Sequence, residues 1–307
     1  MPPNHHRPDH RGTKEQRLRS IRSTKSLVEF QDIHAFFPDR PSIIAEGDSW
    51  FGYPPPWLFR GPASNILDWL AKSDDPRYNL LRMERNGDEA ADMLSGKSKH
   101  RLCKVLSESG EFVKAILFSG GGNDIVGEWD FPFLLKQPGD DPTSSPNPWV
   151  NERRLRRKIA TILNAYLDLA ALRNDYAPQA AIVTHTYDTP LPSDTGGVFV
   201  GGVLKTKAWM KRFMDAIGVP AADQPGVIGH VLMTFAKQLL KLPQQHDWLT
   251  NFHVVDTQGT LLKPDGSIDD KLWLNEIHPT SEGFRIVTNR IRPVLHQAIN
   301  LPPPVDL

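Results

Sequence analysis

The chain contains little cysteine, no excess of either charge and no long apolar run. Cys103 is the single cysteine among 307 residues, which excludes an internal disulfide and a cysteine-based metal cluster. We interpret it as a small buried thiol in an amphipathic, helical stretch. The 36 basic and 36 acidic residues balance, which argues against a nucleic-acid partner. No apolar run reaches the ~18 residues that suggest a transmembrane helix.

The N-terminus also lacks the apolar segment of a secretory signal peptide. Residues 1–26 are polar and rich in Arg, Lys and His, which predicts a flexible basic tail. Such a tail is either a solvated terminus or an arm for anionic surfaces. The missing signal predicts a cytoplasmic protein, with export by a route without a cleavable signal left open. We expect one domain over residues 27–307.

What the chain does have is a series of short apolar segments bounded by turn residues. They lie at residues 43–45, 79–83, 115–118, 181–184 and 252–255. Short, nearly continuous apolar strands are typical of a parallel sheet that is covered on both faces.

Helical patterns separate these segments. Residues 151–174 repeat apolar side chains every three to four positions, with Asn151 in place as a cap. A second helix is predicted over residues 226–242. A last one is predicted from about Thr280, and Pro293 is expected to break or kink it. The alternation of strands and helices predicts an α/β fold.

Two long segments rich in Pro and Gly interrupt this alternation, near residues 130–150 and 188–206. Loops of this length are usually functional or mobile. Both follow the carboxyl ends of predicted strands, where open α/β sheets bind their ligands. We therefore interpret them either as walls of a substrate pocket or as surface decoration.

Four short motifs follow one another in order along the chain. Ser49 lies in Gly-Asp-Ser-Trp directly after the first strand, and Gly87 follows Arg-Asn in a turn. Residues 121–124 read Gly-Gly-Asn-Asp after the third strand, and residues 275–278 read Asn-Glu-Ile-His before the last helix. A serine nucleophile, oxyanion donors and a histidine base are the components of a serine acyl hydrolase.

In these motifs the chain resembles the SGNH hydrolases, a superfamily also called GDSL esterases and lipases. The resemblance implies a three-layer α/β/α fold with a five-stranded parallel sheet, similar to flavodoxin. It implies that Ser49 is the nucleophile, that His278 is its base, and that Gly87 and Asn123 bind the oxyanion. Asp48 would support the turn. The implied reaction cleaves a carboxylic ester of a small molecule, lipid or sugar, through an acyl-enzyme and without a metal or organic cofactor.

The chain departs from this family at the residue that orients the histidine. Asn275 stands where the family has an aspartate, and it brings no charge to stabilise an imidazolium. Three arrangements remain open. Ser49 and His278 work as a dyad oriented by Asn275 or a backbone carbonyl, a carboxylate such as Glu276 or Asp256 substitutes, or the site is weakened.

A second departure is Trp50, which replaces the leucine of the GDSL tetrad. The aromatic and proline residues 50–57 form either an apolar wall for the substrate or a hydrophobic plug over the sheet. Residues 185–188, after the fourth strand, are expected to approach the pocket. The histidines His185, His230 and His253 are interpreted as structural.

Other functions remain compatible with these motifs. The same site could transfer an acyl group to a hydroxyl, and a weakened site could serve a binding module. A lipase-type toxin delivered to another cell is a further possibility. The motifs do not choose the ester, the acyl chain length or the oligomeric state.

Overall fold

The structure, a computed structural model, describes residues 10–53, 65–140, 146–196, 198–199, 204–205 and 208–307. The strands in this part of the chain are β1 (Ser42–Gly47), β2 (Asn79–Arg82), β3 (Val113–Ser119), β4 (Ala181–His185), β5 (Val198–Phe199), β6 (Leu204–Lys205) and β7 (Phe252–Val255). Each of the five apolar segments identified in the sequence forms one of the longer strands.

Five of these strands form a parallel sheet in the order β2-β1-β3-β4-β7. Every residue of β1, β2 and β4 is buried, as expected for strands covered on both faces. Because the strands are parallel, their carboxyl ends lie along one edge of the sheet. The chain order in the sheet changes direction at β1 and β3, and such a position is where α/β sheets bind ligands.

Helices cover both faces of the sheet. They are α1 (His10–Ser20), α2 (Leu27–Phe36), α3 (Ser49–Gly52), α4 (Ile66–Ala71), α5 (Ala90–Met93), α6 (Gly96–Ser109), α7 (Gly122–Val126), α8 (Phe131–Leu134), α9 (Glu152–Tyr176), α10 (Lys211–Ala216), α11 (Gln224–Gln245) and α12 (Ser281–Ala298). In one layer α9 packs against α5, α6 and α11, whereas α12 packs against α4. The predicted three-layer α/β/α fold with a five-stranded parallel sheet is confirmed.

The three helices predicted from periodicity, which correspond to α9, α11 and α12, are present. The Asn151 side chain accepts the Arg154 N–H at 3.1 Å and caps α9, as the sequence predicted. Cys103 lies on α6, but it is half-buried rather than buried. No helix among the described residues is both long and apolar enough to cross a membrane.

A break of the last helix at Pro293 was wrong, because α12 continues through this residue. Proline has no N–H, so the Asn289 carbonyl loses its helical hydrogen bond. On either side Ile291 and Leu295 are buried in the core, and α12 packs against β4 and β7. Packing of this apolar face keeps the helix continuous.

The predicted flexible tail was wrong for the part of it that the structure describes. Residues from His10 onward form α1, whose Leu18 is fully buried. Lys14 pairs with Asp32 of α2 at 2.8 Å, and the Thr24 N–H donates to the Leu80 carbonyl of β2. One apolar side chain in eleven helical residues gives no periodic signal, which is why the sequence pattern missed this helix. Residues 1–9 lie outside the described part.

The two inserted segments contain some regular structure. The first includes α8 and an isolated bridge between Leu135 and Val150. The second includes β5 and β6, which pair antiparallel. Residues 141–145, 197, 200–203 and 206–207 lie outside the described part.

A fully buried arginine joins the end of α9 to the sheet. Arg173 Nη1 donates to the Ala180 carbonyl at 2.6 Å, and its Nη2 donates to the Thr250 carbonyl at 2.6 Å. These carbonyls precede β4 and β7. Arg173 therefore fixes where these two strands enter the sheet, and with them the residues that follow at the other edge.

We expect Arg173→Met to lower the free energy of unfolding by ~2–4 kcal/mol, because the buried Ala180 carbonyl and the part-buried Thr250 carbonyl lose their donor. Urea unfolding followed by circular dichroism measures this change. Arg156→Met, at an exposed position of the same helix, is the control and should stay within ~0.5 kcal/mol of wild type. Equal stability of the two variants would show that Arg173 does not join the elements as described.

Candidate active site

Ser49 and His278 meet at the carboxyl edge of the sheet. Ser49 begins α3 directly after β1, and His278 lies in the loop that leads into α12. Ser49 Oγ lies 2.8 Å from His278 Nε2. Ser49 is 6% exposed and His278 is 3% exposed. Two of the predicted site residues, 229 positions apart in sequence, are thus in hydrogen-bond contact.

The turn that carries Ser49 is held by Asp48. One carboxylate oxygen, Oδ1, accepts the Trp50 N–H and the Ser119 hydroxyl, both at 2.9 Å. The other, Oδ2, accepts the Tyr187 hydroxyl at 2.5 Å. Burial raises the pKa of Asp48 to about 6, and these donors oppose that rise. Asp48 links the ends of β1, β3 and β4, which agrees with a supporting role.

Asn275 contacts His278 through a single oxygen. Asn275 Oδ1 accepts the backbone N–H groups of Ile277 at 3.1 Å and of His278 at 2.9 Å. The same oxygen lies 3.0 Å from His278 Nδ1. The predicted orienter and the predicted base are therefore in direct contact.

These backbone contacts decide which way the Asn275 amide faces. A backbone N–H can only donate, so the side-chain atom that meets Ile277 and His278 must be the oxygen. The same oxygen faces Nδ1, which must then carry the ring proton. Nε2 is left with its lone pair directed at the Ser49 hydroxyl. An asparagine held in this way selects the tautomer that an aspartate would select.

The carboxylates that the sequence offered as substitutes are bound elsewhere. Glu276 accepts the backbone N–H groups of Met210 at 2.8 Å and of Lys211 at 2.7 Å. Asp256 accepts the Thr186 hydroxyl and the Gln258 N–H, each at 3.1 Å. Of the three arrangements, the geometry favours a dyad oriented by Asn275.

Burial without a carboxylate partner lowers the pKa of His278 to about 3. The charged imidazolium loses its hydration in this place, and the neutral Asn275 does not replace it. His278 is therefore neutral at ordinary pH and is in the form that accepts a proton.

Gly87 and Asn123, the predicted oxyanion donors, belong to neighbouring segments. The Asn123 side-chain amide donates to the carbonyl of Asp88 at 3.0 Å. A Cβ on Gly52 would lie 2.5 Å from Asn86 Oδ1, which places this turn against the helix that begins at Ser49. Both donors thus come from segments beside the nucleophile turn.

Gly87 needs to be a glycine because of its backbone conformation. Its φ is 89°, which other residues rarely adopt. A Cβ at this position would meet no atom of the described residues within 4 Å. At Gly122, by contrast, a Cβ would lie 2.8 Å from the Tyr187 ring, so a glycine is needed there for close packing.

A cleft opens beside Ser49 and Asn123, with about 350 Å³ of space that includes open solvent. The side chains that make it apolar are Val126, Pro190, Leu232 and Ile277. Asp188 lines it too, but its carboxylate accepts the N–H groups of Thr189, Gly259 and Leu261 at 2.7–2.9 Å. The cleft is therefore largely apolar, and the charge of Asp188 is directed into the protein.

The inserted segments contribute unequally to this cleft. Asp188 and Pro190 come from the second segment, as the interpretation as a pocket wall required. From the first, none of the described residues between 132 and 148 is among its lining residues. Within residues 185–188, Tyr187 and Asp188 reach the cleft.

The aromatic residues after Ser49 serve different purposes. Trp50 lines the cleft, and its Nε1 donates to the Ile277 carbonyl at 3.1 Å. Phe51 is buried in the core, as a plug would be. Tyr53 stacks on the His278 ring with centroids 3.9 Å apart. Residues 54–57 of the predicted wall lie outside the described part.

The three histidines that were interpreted as structural are bound away from Ser49. His185 is buried, with Nε2 3.1 Å from Ser119 Oγ, and burial lowers its pKa to about 4. His230 contacts Glu152, and His253 lies 2.8 Å from Asn251.

Sequence reasoning missed Ser119 and the ring contacts of Tyr53 and Trp209 with His278. The position of Ser119, directly before the glycine run, was the only available signal for it. The ring contacts had none. Among the described residues, no group of three or more His, Cys, Asp or Glu side chains is placed to hold a metal ion.

We expect Trp50→Phe to lower the free energy of unfolding by ~1–3 kcal/mol, because the buried Ile277 carbonyl loses its donor. The comparison is with Trp129→Phe, which changes an indole that is 83% exposed and should have little effect. Urea titration followed by circular dichroism gives both values. A Trp50→Phe protein as stable as the control would mean that this hydrogen bond contributes nothing.

No protein-family model matches the sequence, and a search of curated proteins gives no match. A member of the lipolytic G-D-S-L family from Veillonella parvula is 17% identical, with 81% of this chain and 94% of that chain covered and a TM-score of 0.46. A lipase from a goat rumen metagenome is 14% identical, with 82% and 96% covered and a TM-score of 0.51. At this identity the likeness concerns the fold. The chain has the fold of this lipase, which is the fold that the resemblance to SGNH hydrolases implied.

Proposed function

We propose that the protein is a serine hydrolase that cleaves carboxylic esters through an acyl-enzyme. The observation that carries this proposal is the 2.8 Å contact between Ser49 Oγ and His278 Nε2, in a tautomer fixed by Asn275. A serine is a weak nucleophile unless a base removes its proton, and this arrangement supplies the base.

The reaction has two halves. In the first, His278 Nε2 takes the proton of Ser49 as Oγ attacks the ester carbonyl carbon. The tetrahedral adduct then expels the alcohol, which receives that proton from His278, and the acyl group remains on Ser49. In the second, His278 deprotonates a water molecule, the water oxygen attacks the acyl carbon, and Ser49 recovers its proton as the acid leaves.

Three donors would bind the oxyanion. The N–H of Ser49 lies in the first turn of α3, where backbone N–H groups have no helical acceptor. Gly87 would contribute its N–H from the neighbouring turn. Asn123 has two amide hydrogens, and one of them remains after its bond to Asp88. Removing one such donor typically costs ~10²–10³ in rate.

The cleft favours an uncharged acyl group. Its apolar side chains are Val126, Leu232 and Ile277, and the carboxylate of Asp188 is already bound by backbone donors. A charged acyl group would lose its hydration there without a partner. Acyl transfer to an alcohol would use the same first half-reaction. A binding module would have no need of the Ser49–His278 contact.

Ser49→Ala should abolish both hydrolysis of p-nitrophenyl esters, from acetate to palmitate, and labelling by a fluorophosphonate. We expect kcat/KM to fall by at least ~10³-fold because no other hydroxyl contacts His278 among its described hydrogen-bond partners. Ser107→Ala, at an exposed serine of α6, is the matched control and should keep full activity.

Fluorophosphonate labelling, together with assays in which an alcohol is added as acyl acceptor, distinguishes hydrolysis from acyl transfer and from a binding module. Labelling without hydrolysis, followed by ester formation with an added alcohol, would assign the site to acyl transfer. Wild-type protein that is neither labelled nor active on any ester would contradict the proposed function.

The pH dependence of kcat/KM should show that the residue orienting His278, Asn275, carries no charge. His278 acts unprotonated, and burial lowers its pKa to about 3, so kcat/KM should stay level well below the usual histidine range near 6.5. Asn275→Asp puts a negative charge beside Nδ1, which raises the pKa, moves the acid limb upward and stabilises the imidazolium. We expect kcat to rise about a hundred- to a thousandfold, less than the ~10⁴ of a triad enzyme, because the tautomer is already correct.

Profiles of kcat/KM between pH 4 and 9 make this measurement. Asp256→Asn is the control, since its carboxylate is bound to Thr186 and Gln258, and its acid limb should not move. An acid limb near 6.5 in wild type, unchanged in Asn275→Asp, would contradict the role given to Asn275.

A further inference from the structure

The proposed reaction places a positive charge on His278, and no carboxylate in the described part of the chain faces this ring. Asn275, its hydrogen-bond partner at Nδ1, is neutral. The carboxylate of Asp48 is directed at Ser119 and Tyr187. That of Glu276 is bound by backbone N–H groups. A buried imidazolium without a partner is costly, so the groups in contact with the ring decide how easily it forms.

Aromatic rings make those contacts. The Tyr53 ring lies nearly parallel to the His278 ring, with centroids 3.9 Å apart and an angle of 16°. Trp209 is perpendicular to the same ring at 5.8 Å. Tyr53 is 1% exposed, and its N–H donates to the Ser49 carbonyl at 2.7 Å. The stacked ring is therefore fixed to the same turn as the nucleophile.

Stacking of this kind distinguishes between the two charge states of the histidine. The face of an aromatic ring carries partial negative charge and attracts a cation that lies over it. The attraction is strongest where water is excluded, as it is here. The neutral imidazole gains far less from the same contact.

We propose that Tyr53 is a positioning residue that stabilises the His278 imidazolium through its ring face, in part replacing the missing carboxylate. The inference rests on the proposed function. Tyr53 changes no bond, because the proton moves only from Ser49 Oγ to His278 Nε2. A side chain that merely filled space would not favour one charge state of His278.

The test compares Tyr53→Phe, which keeps the ring face, with Tyr53→Leu, which removes it. We expect Tyr53→Phe to stay within about threefold of wild type in kcat. Tyr53→Leu should lower kcat about tenfold with KM little changed. In the Asn275→Asp background, whose acid limb lies at higher pH, the same change should move the acid limb of kcat/KM to lower pH. The direction of this movement is decisive, because simple opening of the site to water would raise the pKa of His278.

A second measurement does not depend on activity. NMR titration of His278 is carried out in Ser49→Ala/Asn275→Asp protein, where the added carboxylate raises the pKa into an accessible range. Tyr53→Leu in this background should give about tenfold lower proton affinity, and Tyr53→Phe should give no change. Urea unfolding of each variant confirms that the fold is intact before its titration is compared.

The outcomes separate the two proposals. A proton affinity that is unchanged or higher in folded Tyr53→Leu protein would overturn the role of Tyr53, whatever the activity. Lower affinity in a protein whose wild type hydrolyses no ester would support Tyr53 and contradict the proposed function.

Discussion

The whole site depends on one side-chain oxygen, Asn275 Oδ1, which accepts three N–H groups. Two of them belong to the backbone of Ile277 and His278, and the third is the ring Nδ1–H. The backbone pair makes the amide orientation obligatory, since both groups are donors. Ring orientation, tautomer and the contact with Ser49 all follow from this constraint. In the proposed reaction a neutral residue would therefore perform the geometric half of what an aspartate does in a triad.

Ser49, the proposed nucleophile, is held in place by a second buried group, Asp48, at the point where three strands end. Its carboxylate accepts the Ser119 hydroxyl after β3, the Tyr187 hydroxyl after β4 and the Trp50 N–H of its own turn. Burial raises its pKa, so the ionised form persists only because these donors surround it. The sheet edge and the nucleophile turn are thus one hydrogen-bonded unit.

The fold could be predicted from the sequence because strands buried on both faces are apolar throughout and long helices repeat with period 3.6. Ser49 directly follows an apolar strand, and the resemblance to SGNH hydrolases implied that Asn275 and His278 belong to the same site. Helix α1 could not be predicted from the sequence, since Leu18 is its one buried apolar residue. The tautomer of His278 could not be predicted either, because it depends on how the loop backbone contacts the Asn275 amide. The stack of Tyr53 on His278 depends likewise on tertiary packing.

With a neutral residue in place of an aspartate, the histidine is still oriented, but no neighbouring charge stabilises its imidazolium form. A carboxylate about 4 Å from the imidazolium contributes ~4 kcal/mol at an effective dielectric constant of 20, about a thousandfold in rate. Without it, the base is in the correct form at nearly every pH, but it holds the proton weakly. The tenfold effect expected of the Tyr53 ring face corresponds to ~1.4 kcal/mol, which would offset about a third of the loss. The oxyanion donors that we propose act on the opposite, negative charge of the tetrahedral adduct, where one hydrogen bond is worth ~2.7–4 kcal/mol. In such a site one oxyanion contact matters about as much to the rate as the carboxylate that is missing beside the base.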